Sequence, residues 1–132
     1  MAGGFAGMML HWVAEMSHQL GHANAARETG YPMTGVRFRL LIGISEYPGG
    51  EPDLPPDVHI RRALGGPTRS LRVTLLAGLL ALLTRPLGAI PTWLGIFFFL
   101  DNLLVMTIGA FLPLGFTDGS TILHWRKVKR DA

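Results

Sequence analysis

The chain has 132 residues, of which 48% are hydrophobic and 16% are charged, and this balance predicts one membrane-embedded domain over residues 1–132 instead of a water-soluble core. There is no cysteine, which excludes disulfides and thiolate metal sites, so a metal ion must be bound by His, Asp or Glu. The net charge of +3 is modest and the basic residues lie beside apolar runs, a pattern that favours contact with membrane lipid and argues against nucleic acid as a partner.

Residues 3–29 are predicted to form the first helix, which Gly30 and Pro32 end. The apolar front half of this helix, Gly3–Val13, is too short to span a bilayer alone. We therefore expect the polar residues of the helix to enter the membrane facing a cavity or another protein segment.

Residues 34–65 are predicted to form a strand and loop region. Apolar and polar residues alternate over residues 34–47, which indicates a strand with one apolar face. The residues on that face are Val36, Phe38, Leu40, Ile42 and Ile44. A Pro/Gly-rich loop follows over residues 47–57, and residues 58–63 are predicted to form a short returning strand.

Two further helices are predicted at residues 67–84 and 91–114, and a basic tail follows at residues 124–132. Lys and Arg are frequent in the tail and in the stretch before the second helix, whereas the N-terminus has none. The positive-inside rule then places the N-terminus outside and the C-terminus in the cytoplasm. The predicted fold class is an all-α membrane protein with three core transmembrane helices and a small membrane-associated β-hairpin.

Two histidines in the first helix, His18 and His22, are about one helical turn apart, so both can meet one metal ion. Asp118 is the best third ligand, because it follows the helix break at Pro113 and lies at a similar depth. Two His and one Asp leave a fourth position for water, as catalytic zinc sites do. The zinc-hydrolase pattern His-Glu-x-x-His has its general base at the second position, where this chain has Gln19.

Three segments resemble the site-2 protease family of intramembrane zinc metalloproteases. Residues 18–30, HQLGHANAARETG, are similar to the family's HExxH helix. Residues 65–71, GGPTRSL, are similar to the turn that opens its second core helix. Residues 110–123, AFLPLGFTDGSTIL, are similar to its Asn-Leu-Leu-Pro-x-Pro-Pro-Leu-Asp-Gly-Gly segment. The order and spacing of the three segments match along almost the whole chain.

The resemblance implies a zinc ion bound by His18, His22 and Asp118, and a transmembrane protein as the substrate. It also implies that the strand over residues 34–47 lies beside the site and pairs with an unwound substrate, which a sheet edge can do through main-chain hydrogen bonds. The substrate-binding positions that follow are Val36, Phe38, Leu40 and Ala110, the last of which stands where the family has asparagine.

Gln19 leaves enzymatic activity an open question. A neutral amide cannot accept a proton from an attacking water or return it to a leaving amine. General acid–base catalysis typically contributes ~10²–10⁴-fold, so we expect proteolysis to be weak or absent. The first hypothesis is therefore a disabled intramembrane zinc metalloprotease, a pseudoenzyme. The second is a non-catalytic membrane subunit that packs against partner subunits of a larger complex.

His11 and Glu15 extend the histidine pair along one face of the first helix. Glu15 is a candidate hydrogen-bond partner for an imidazole N–H, or a substitute base, and the whole stripe is also a candidate ligand set for a porphyrin-type pigment. Asp118 has an alternative interpretation as the N-cap of a helix over residues 119–125. Asp101 lies too far from Asp118 along its helix to be a ligand, and we expect it to be protonated or paired.

Overall fold

The structure is a computed structural model that describes the chain from residue 2 to residue 132. Its elements, in chain order, are α1 (Ala2–Glu28), β1 (Gly35–Arg39), β2 (Ile42–Glu46), α2 (Pro56–Leu83), α3 (Ala89–Leu100), a π-helical segment (Asp101–Gly109) and α4 (Asp118–Asp131). A short 3-10 turn, Arg85–Leu87, joins α2 to α3. The fold is mostly helical with one two-stranded antiparallel sheet, which confirms the predicted fold class at this coarse level.

The helices α1 and α2 cross in direct backbone contact at two glycines. A Cβ atom at Gly65 would lie 2.4 Å from the Gly21 carbonyl oxygen, and one at Gly21 would lie 2.3 Å from the Gly65 carbonyl oxygen. No side chain fits between the two backbones, so small residues are what permits this close packing. The crossing brings polar side chains of α1 within reach of the α2 backbone.

The interior is built from small side chains, while large apolar side chains face outward. The buried apolar residues include Ala14, Ala26, Ala63, Ala77 and Ala81. The exposed apolar residues of α2 include Leu75, Leu76, Leu79, Leu80 and Leu83. Helices in lipid typically have small residues at their contacts and leucines on the outside. Lipid tails are as apolar as leucine, so there is no hydrophobic driving force to bury it.

The strand predicted over residues 34–47 is instead a hairpin. β1 and β2 are antiparallel, and Arg39 pairs with Ile42 across a two-residue turn formed by Leu40 and Leu41. Leu40 has a φ of +52°, a conformation that favoured two-residue hairpin turns require. The alternating pattern continues through the turn, so periodicity alone does not locate the reversal.

The reversal divides the predicted apolar face between the two faces of the hairpin. Phe38 pairs with Gly43, and the next pair is Arg37 with Ile44, so Phe38 and Ile44 lie on opposite faces. The Phe38 ring packs edge-on against the Trp12 ring of α1, with 5.2 Å between ring centroids. The hairpin therefore turns its Phe38 face toward α1.

The returning strand predicted at residues 58–63 is wrong, because those residues belong to α2. The helix begins at Pro56, well before the predicted start at residue 67. Proline is well suited to the first position of a helix, and the acidic Asp57 in the first turn complements the helix dipole. Pro67, in the segment expected to open the helix, lies inside it.

The third predicted helix, residues 91–114, is present but ends earlier. α3 continues directly into the π-helical segment, in which the Thr107 hydroxyl donates to the Asn102 carbonyl oxygen at 2.8 Å. Among residues 2–132, Ala89–Gly109 is the single helical stretch long and apolar enough to cross a membrane. Three core spans are therefore not supported by helix length and composition.

The basic tail at residues 124–132 is not an isolated segment, because it belongs to α4, which begins at Asp118. The N-cap of α4 is Thr117 and not Asp118, since the Thr117 side chain accepts the hydrogen bond from the Ser120 N–H. Asp118 is thereby the first residue inside the helix.

α4 folds back against the first half of α2. The Trp125 ring stacks on the His59 ring with 3.9 Å between ring centroids. Near the end of α4, the Lys129 ammonium pairs with the Asp57 carboxylate at 2.7 Å. These contacts hold the start of α4 beside the crossing of α1 and α2.

Replacing Gly65 with alanine should weaken the helix crossing, because the new methyl group would overlap the Gly21 carbonyl. Overpacking of this kind costs about 1–3 kcal/mol, so we expect a lower midpoint of thermal unfolding by circular dichroism in detergent. Gly4→Ala is the matched control, since a Cβ at Gly4 meets nothing within 4 Å. Equal melting temperatures for the two variants would contradict the close crossing.

Candidate functional site

Three side chains that are far apart in the sequence converge beside the crossing of α1 and α2. The His18 Nε2 atom lies 3.2 Å from Asp118 Oδ2 and 3.0 Å from His22 Nε2, and His22 Nε2 lies 3.3 Å from Asp118 Oδ1. Both histidines are buried, and Asp118 is partly buried. The ligand atoms of the three residues lie within 4.8 Å of one another, so the group could hold a metal ion.

The spacing of these atoms is compatible with one bound metal ion. A zinc ion with ligands at about 2.0–2.1 Å has ligand–ligand separations of roughly 3.3 Å in a regular tetrahedron. The two Nε2 atoms are 3.0 Å apart, and they lie 3.2 and 3.3 Å from the two different oxygens of the Asp118 carboxylate. Two imidazoles and one carboxylate are also a donor set that zinc uses with a fourth position open.

Partners on α2 fix the two imidazole rings. The His22 Nδ1 atom lies 2.8 Å from the Arg62 carbonyl oxygen, which can only accept, so Nδ1 carries a proton and donates it. The Nε2 lone pair of neutral His22 then faces the Asp118 carboxylate, and this arrangement is favourable only with a proton or metal cation between them. His18 Nδ1 lies 2.9 Å from the Ser70 hydroxyl, a comparable partner.

Gly66 keeps open the space where the rings meet. A Cβ atom at this position would lie 2.3 Å from His22 Nε2 and 2.5 Å from His18 Nε2. Any larger residue at position 66 would overlap both imidazole rings, so glycine is needed for the rings to pack against α2.

A tight turn between the third helix and α4 positions Asp118. A Cβ atom at Gly119 would lie 2.1 Å from the Phe111 carbonyl oxygen, so α4 begins in contact with the preceding helix. The Gly115 N–H donates to the Ser120 hydroxyl at 2.7 Å and closes the turn.

Burial raises the pKa of the Asp118 carboxyl, but its contacts with the two imidazoles outweigh burial, so the pKa lies below the ordinary value. The carboxyl is therefore ionised, as a metal ligand must be.

A second polar row on α1 holds β2, and its members Glu15 and Gln19 line the same cavity as the two imidazoles. The Gln19 amide donates to the Gly43 carbonyl oxygen at 2.8 Å and to Glu15 Oε1 at 3.1 Å. The Gln19 carbonyl accepts from the Ser45 hydroxyl at 2.9 Å, and Glu15 Oε1 accepts from the Gly43 N–H at 2.8 Å. Glu15 thus pairs with the hairpin and with Gln19, where the sequence suggested an imidazole N–H as its partner.

His11 extends this row to the hairpin turn. Its Nε2 atom lies 2.9 Å from the Leu41 carbonyl oxygen, and its Nδ1 atom lies 3.1 Å from Asp101 Oδ1. His11, Glu15 and Gln19 are four residues apart, a rise of about 6 Å along a helix. Alternate residues of a strand are about 6.8 Å apart, so the two repeats nearly match. The helix takes the place of a neighbouring strand along β2.

The three histidines that share one face of α1 in the sequence pattern therefore have two different roles. His11 belongs to the row that holds the hairpin, whereas His18 and His22 belong to the metal-binding group. The backbone of α2 at Gly66 closes over the last two rings.

A cavity of about 920 Å³ opens beside the three ligands. Its apolar wall includes Ile42, Ile44, Val105, Met106, Leu114 and Phe116. His18, His22 and Asp118 are among its polar lining, so a molecule in the cavity would contact the candidate metal centre.

Of the predicted substrate-binding residues, Ala110 lines this cavity. Val36, Phe38 and Leu40 do not, and the hairpin contributes Arg39, the turn residue Leu41 and residues 42–45 of β2 to the cavity wall instead. Leu40 lies at the hairpin turn with 93% of its surface exposed. The edge of β2 at Gly43 is already hydrogen-bonded to α1, so it offers no main-chain groups to a substrate there.

Arg62 is the residue of the site that the sequence analysis missed. Its buried guanidinium pairs with the Glu51 carboxylate at 2.5 Å and lies 4.1 Å from the centroid of the Tyr47 ring. The hydrogen bond from Arg62 lowers the pKa of Glu51, and burial raises the pKa of Tyr47. This pair anchors the loop before α2 against the cavity. Placing residues 58–63 on a strand concealed that Arg62 lies one helical turn before Gly66.

In comparisons with known proteins, no family model, no curated protein and no solved structure matches the chain. The resemblance to site-2 proteases therefore depends on the three sequence segments described above. The convergence of His18, His22 and Asp118 is a separate observation that does not depend on that resemblance.

Gln19→Glu should destabilise the hairpin, because a carboxylate at position 19 cannot donate to the Gly43 carbonyl and would lie beside the Glu15 carboxylate. Leaving such buried groups unpaired costs about 1–3 kcal/mol, so we expect a lower unfolding midpoint and faster protease cleavage at the hairpin turn. The double variant Glu15→Gln/Gln19→Glu restores one amide–carboxylate pair and should recover part of the loss. An unchanged stability of Gln19→Glu would show that Gln19 does not hold the hairpin.

Proposed function

We propose that the chain is an integral membrane protein that binds a zinc ion through His18, His22 and Asp118, on a scaffold like that of the site-2 proteases, with proteolysis impaired by Gln19. The observation that carries this proposal is the convergence of ligand atoms from His18, His22 and Asp118 within 4.8 Å of one another. A bound zinc ion would act as a Lewis acid toward a water or carbonyl in the cavity. The protein itself supplies an oriented pair of imidazoles, an ionised carboxylate and a largely apolar cavity.

The distribution of apolar side chains supports the membrane location. Ala89–Gly109 is the segment that would cross the bilayer, and α1 and the leucine-rich second half of α2 would pack against it there. Exposed leucines and aromatic residues are frequent on α2 and α3, and large exposed apolar patches are rare on soluble monomers. The arginines before the second half of α2 and the basic α4 support, through the positive-inside rule, a C-terminus in the cytoplasm and an N-terminus outside.

The hydrogen bonds of Gln19 support impaired proteolysis. Its amide nitrogen donates to Glu15 and Gly43, and its carbonyl accepts from Ser45. The side chain is neutral and already engaged, so it has no means to take a proton from an attacking water. Glu15 is the nearest carboxylate on the helix, but it is bound to the hairpin as well.

A non-catalytic subunit of a membrane complex is the second candidate, and the hydrogen bonds of Gln19 to the hairpin favour this candidate as well. Position 19 serves the attachment of the hairpin to α1, so the fold uses it for structure. The outward-facing apolar residues of α2 and α3 could pack against helices of partner subunits as readily as against lipid.

The zinc site predicts that the purified protein, stripped with a chelator and then titrated calorimetrically with Zn²⁺, binds one equivalent. Asp118→Asn removes a charged ligand and should weaken zinc binding by more than about 100-fold, since loss of even an outer partner costs 10–100-fold. Asp53→Asn is the control, because Asp53 is exposed and forms no ion pair among the described residues. Absence of zinc binding, or equal affinity in both variants, would contradict the site.

The same preparations separate the two candidate functions in a cleavage assay on a reporter transmembrane peptide. We expect no cleavage by the native chain. Cleavage by the zinc-loaded Glu15→Gln/Gln19→Glu variant would support the impaired protease. Zinc binding without cleavage by either protein would support the non-catalytic subunit, and efficient cleavage by the native chain would refute the proposed role of Gln19.

The membrane location predicts that the expressed protein stays in the membrane fraction after alkaline carbonate extraction, because the span Ala89–Gly109 holds it in the bilayer. The substitutions Phe97→Arg and Leu104→Arg should each raise the free energy of membrane insertion by about 2.5–3.5 kcal/mol. We therefore expect carbonate to release the double variant from the membrane. Arginines at the exposed loop positions Gly49 and Gly50 are the control. Release of the native chain by carbonate would contradict membrane insertion.

A further inference from the structure

A second cavity lies in the groove between the C-terminal part of α1 and the first half of α2. Its volume is about 300 Å³, and it shares no lining residue with the cavity beside the candidate metal centre. Three arginines, Arg61, Arg69 and Arg72, line it together with a single acidic residue, Glu28. The groove therefore carries an excess of positive charge.

These arginines are not neutralised elsewhere. Arg61, Arg69 and Arg72 form no salt bridge within residues 2–132, in contrast to Arg37 and Arg62, which pair with glutamates. The Arg69 Nε–H donates to the Ser17 hydroxyl at 3.1 Å, which orients this guanidinium between the two helices. Three cationic side chains along one groove give it a positive potential that favours an anion.

The remaining lining suits an oxyanion. Asn24, Thr29 and Thr68 add neutral hydrogen-bonding groups to the guanidinium groups of the cavity. The negative end of the α1 dipole and Glu28 oppose an anion, but the three guanidinium groups outnumber them. Guanidinium forks match the geometry of phosphate oxygens, so a phosphate group is the anion that the groove fits best.

The groove opens toward apolar surface. Leu75, Leu76 and Leu79 follow Arg72 by three, four and seven residues, so they continue its face of α2. Their exposed fractions are 69%, 62% and 53%. A lipid whose phosphate lay among the arginines could place its acyl chains along these leucines.

We propose that Arg61, Arg69 and Arg72 form a binding site for a phosphate ester, supplied by the headgroup of an anionic phospholipid. The assignment to a lipid rests on the proposed membrane location and on the adjoining leucines. It does not rest on the candidate metal centre, because the two cavities have no residue in common. Basic pockets between helices at the cytoplasmic side of a membrane are known to bind phosphorylated headgroups.

The test measures binding of dihexanoyl phosphatidylglycerol to the full chain in a non-ionic detergent by isothermal titration calorimetry. Arg61→Gln/Arg72→Gln should weaken this binding by at least about tenfold. Arg27→Gln/Arg126→Gln removes the same charge from exposed positions outside the groove and should leave binding unchanged. Zinc titration of the same variants should be unaltered, which separates failure of this site from failure of the metal centre.

Two further probes identify the source of the phosphate. Weak binding of dihexanoyl phosphatidylcholine and of inorganic phosphate would support an anionic phospholipid. Inorganic phosphate that binds as tightly as phosphatidylglycerol, with the same loss in Arg61→Gln/Arg72→Gln, would support the phosphate site and overturn the lipid as its source. Equal weakening in both double variants, or no binding of any probe, would overturn the proposal.

Discussion

The backbone contact between Gly21 and Gly65 determines where the polar groups of the candidate site lie. Because the helices touch without an intervening side chain, the imidazole of His22 reaches the Arg62 carbonyl in the neighbouring helix. A wider crossing would leave this buried N–H without a partner, at a cost of about 1–3 kcal/mol. The same closeness makes glycine necessary at position 66, where the two rings and the α2 backbone meet. One packing constraint thus explains the glycine pair of α2 and the orientation of both rings.

The first helix serves two structures with two rows of polar side chains. His18 and His22 point toward α2 and Asp118, whereas His11, Glu15 and Gln19 point toward β2. The second row works because one turn of helix and two residues of strand have nearly the same length, so successive side chains meet successive main-chain groups. It also protects an edge of the hairpin that would otherwise present unpaired N–H and carbonyl groups. The hairpin is consequently attached to the same helix that carries the candidate ligands.

Local spacing predicts part of this structure, and tertiary context decides the rest. The four-residue interval between His18 and His22 requires a shared helix face in any helix, so it could be predicted from the sequence. The reversal at Leu40 could not, because the alternation of apolar and polar residues passes through it unchanged. The Pro55-Pro56 pair is as compatible with a loop as with a helix start, so the sequence does not predict that α2 begins at Pro56. Arg62 lies beside the site only because α2 begins at Pro56, so its role could not be predicted without that helix start.

The glutamine at position 19 has a structural function that glutamate cannot fulfil. The Gly43 carbonyl and the Glu15 carboxylate are both acceptors, and only an amide nitrogen can donate to the two at once. With glutamate there, three acceptors would face one another in a buried place, which is strongly unfavourable without a proton or cation. Attachment of the hairpin through position 19 and proton transfer from that position are therefore competing uses of one residue. This chain has the residue that suits attachment, and its amide is hydrogen-bonded to Glu15, Gly43 and Ser45 accordingly.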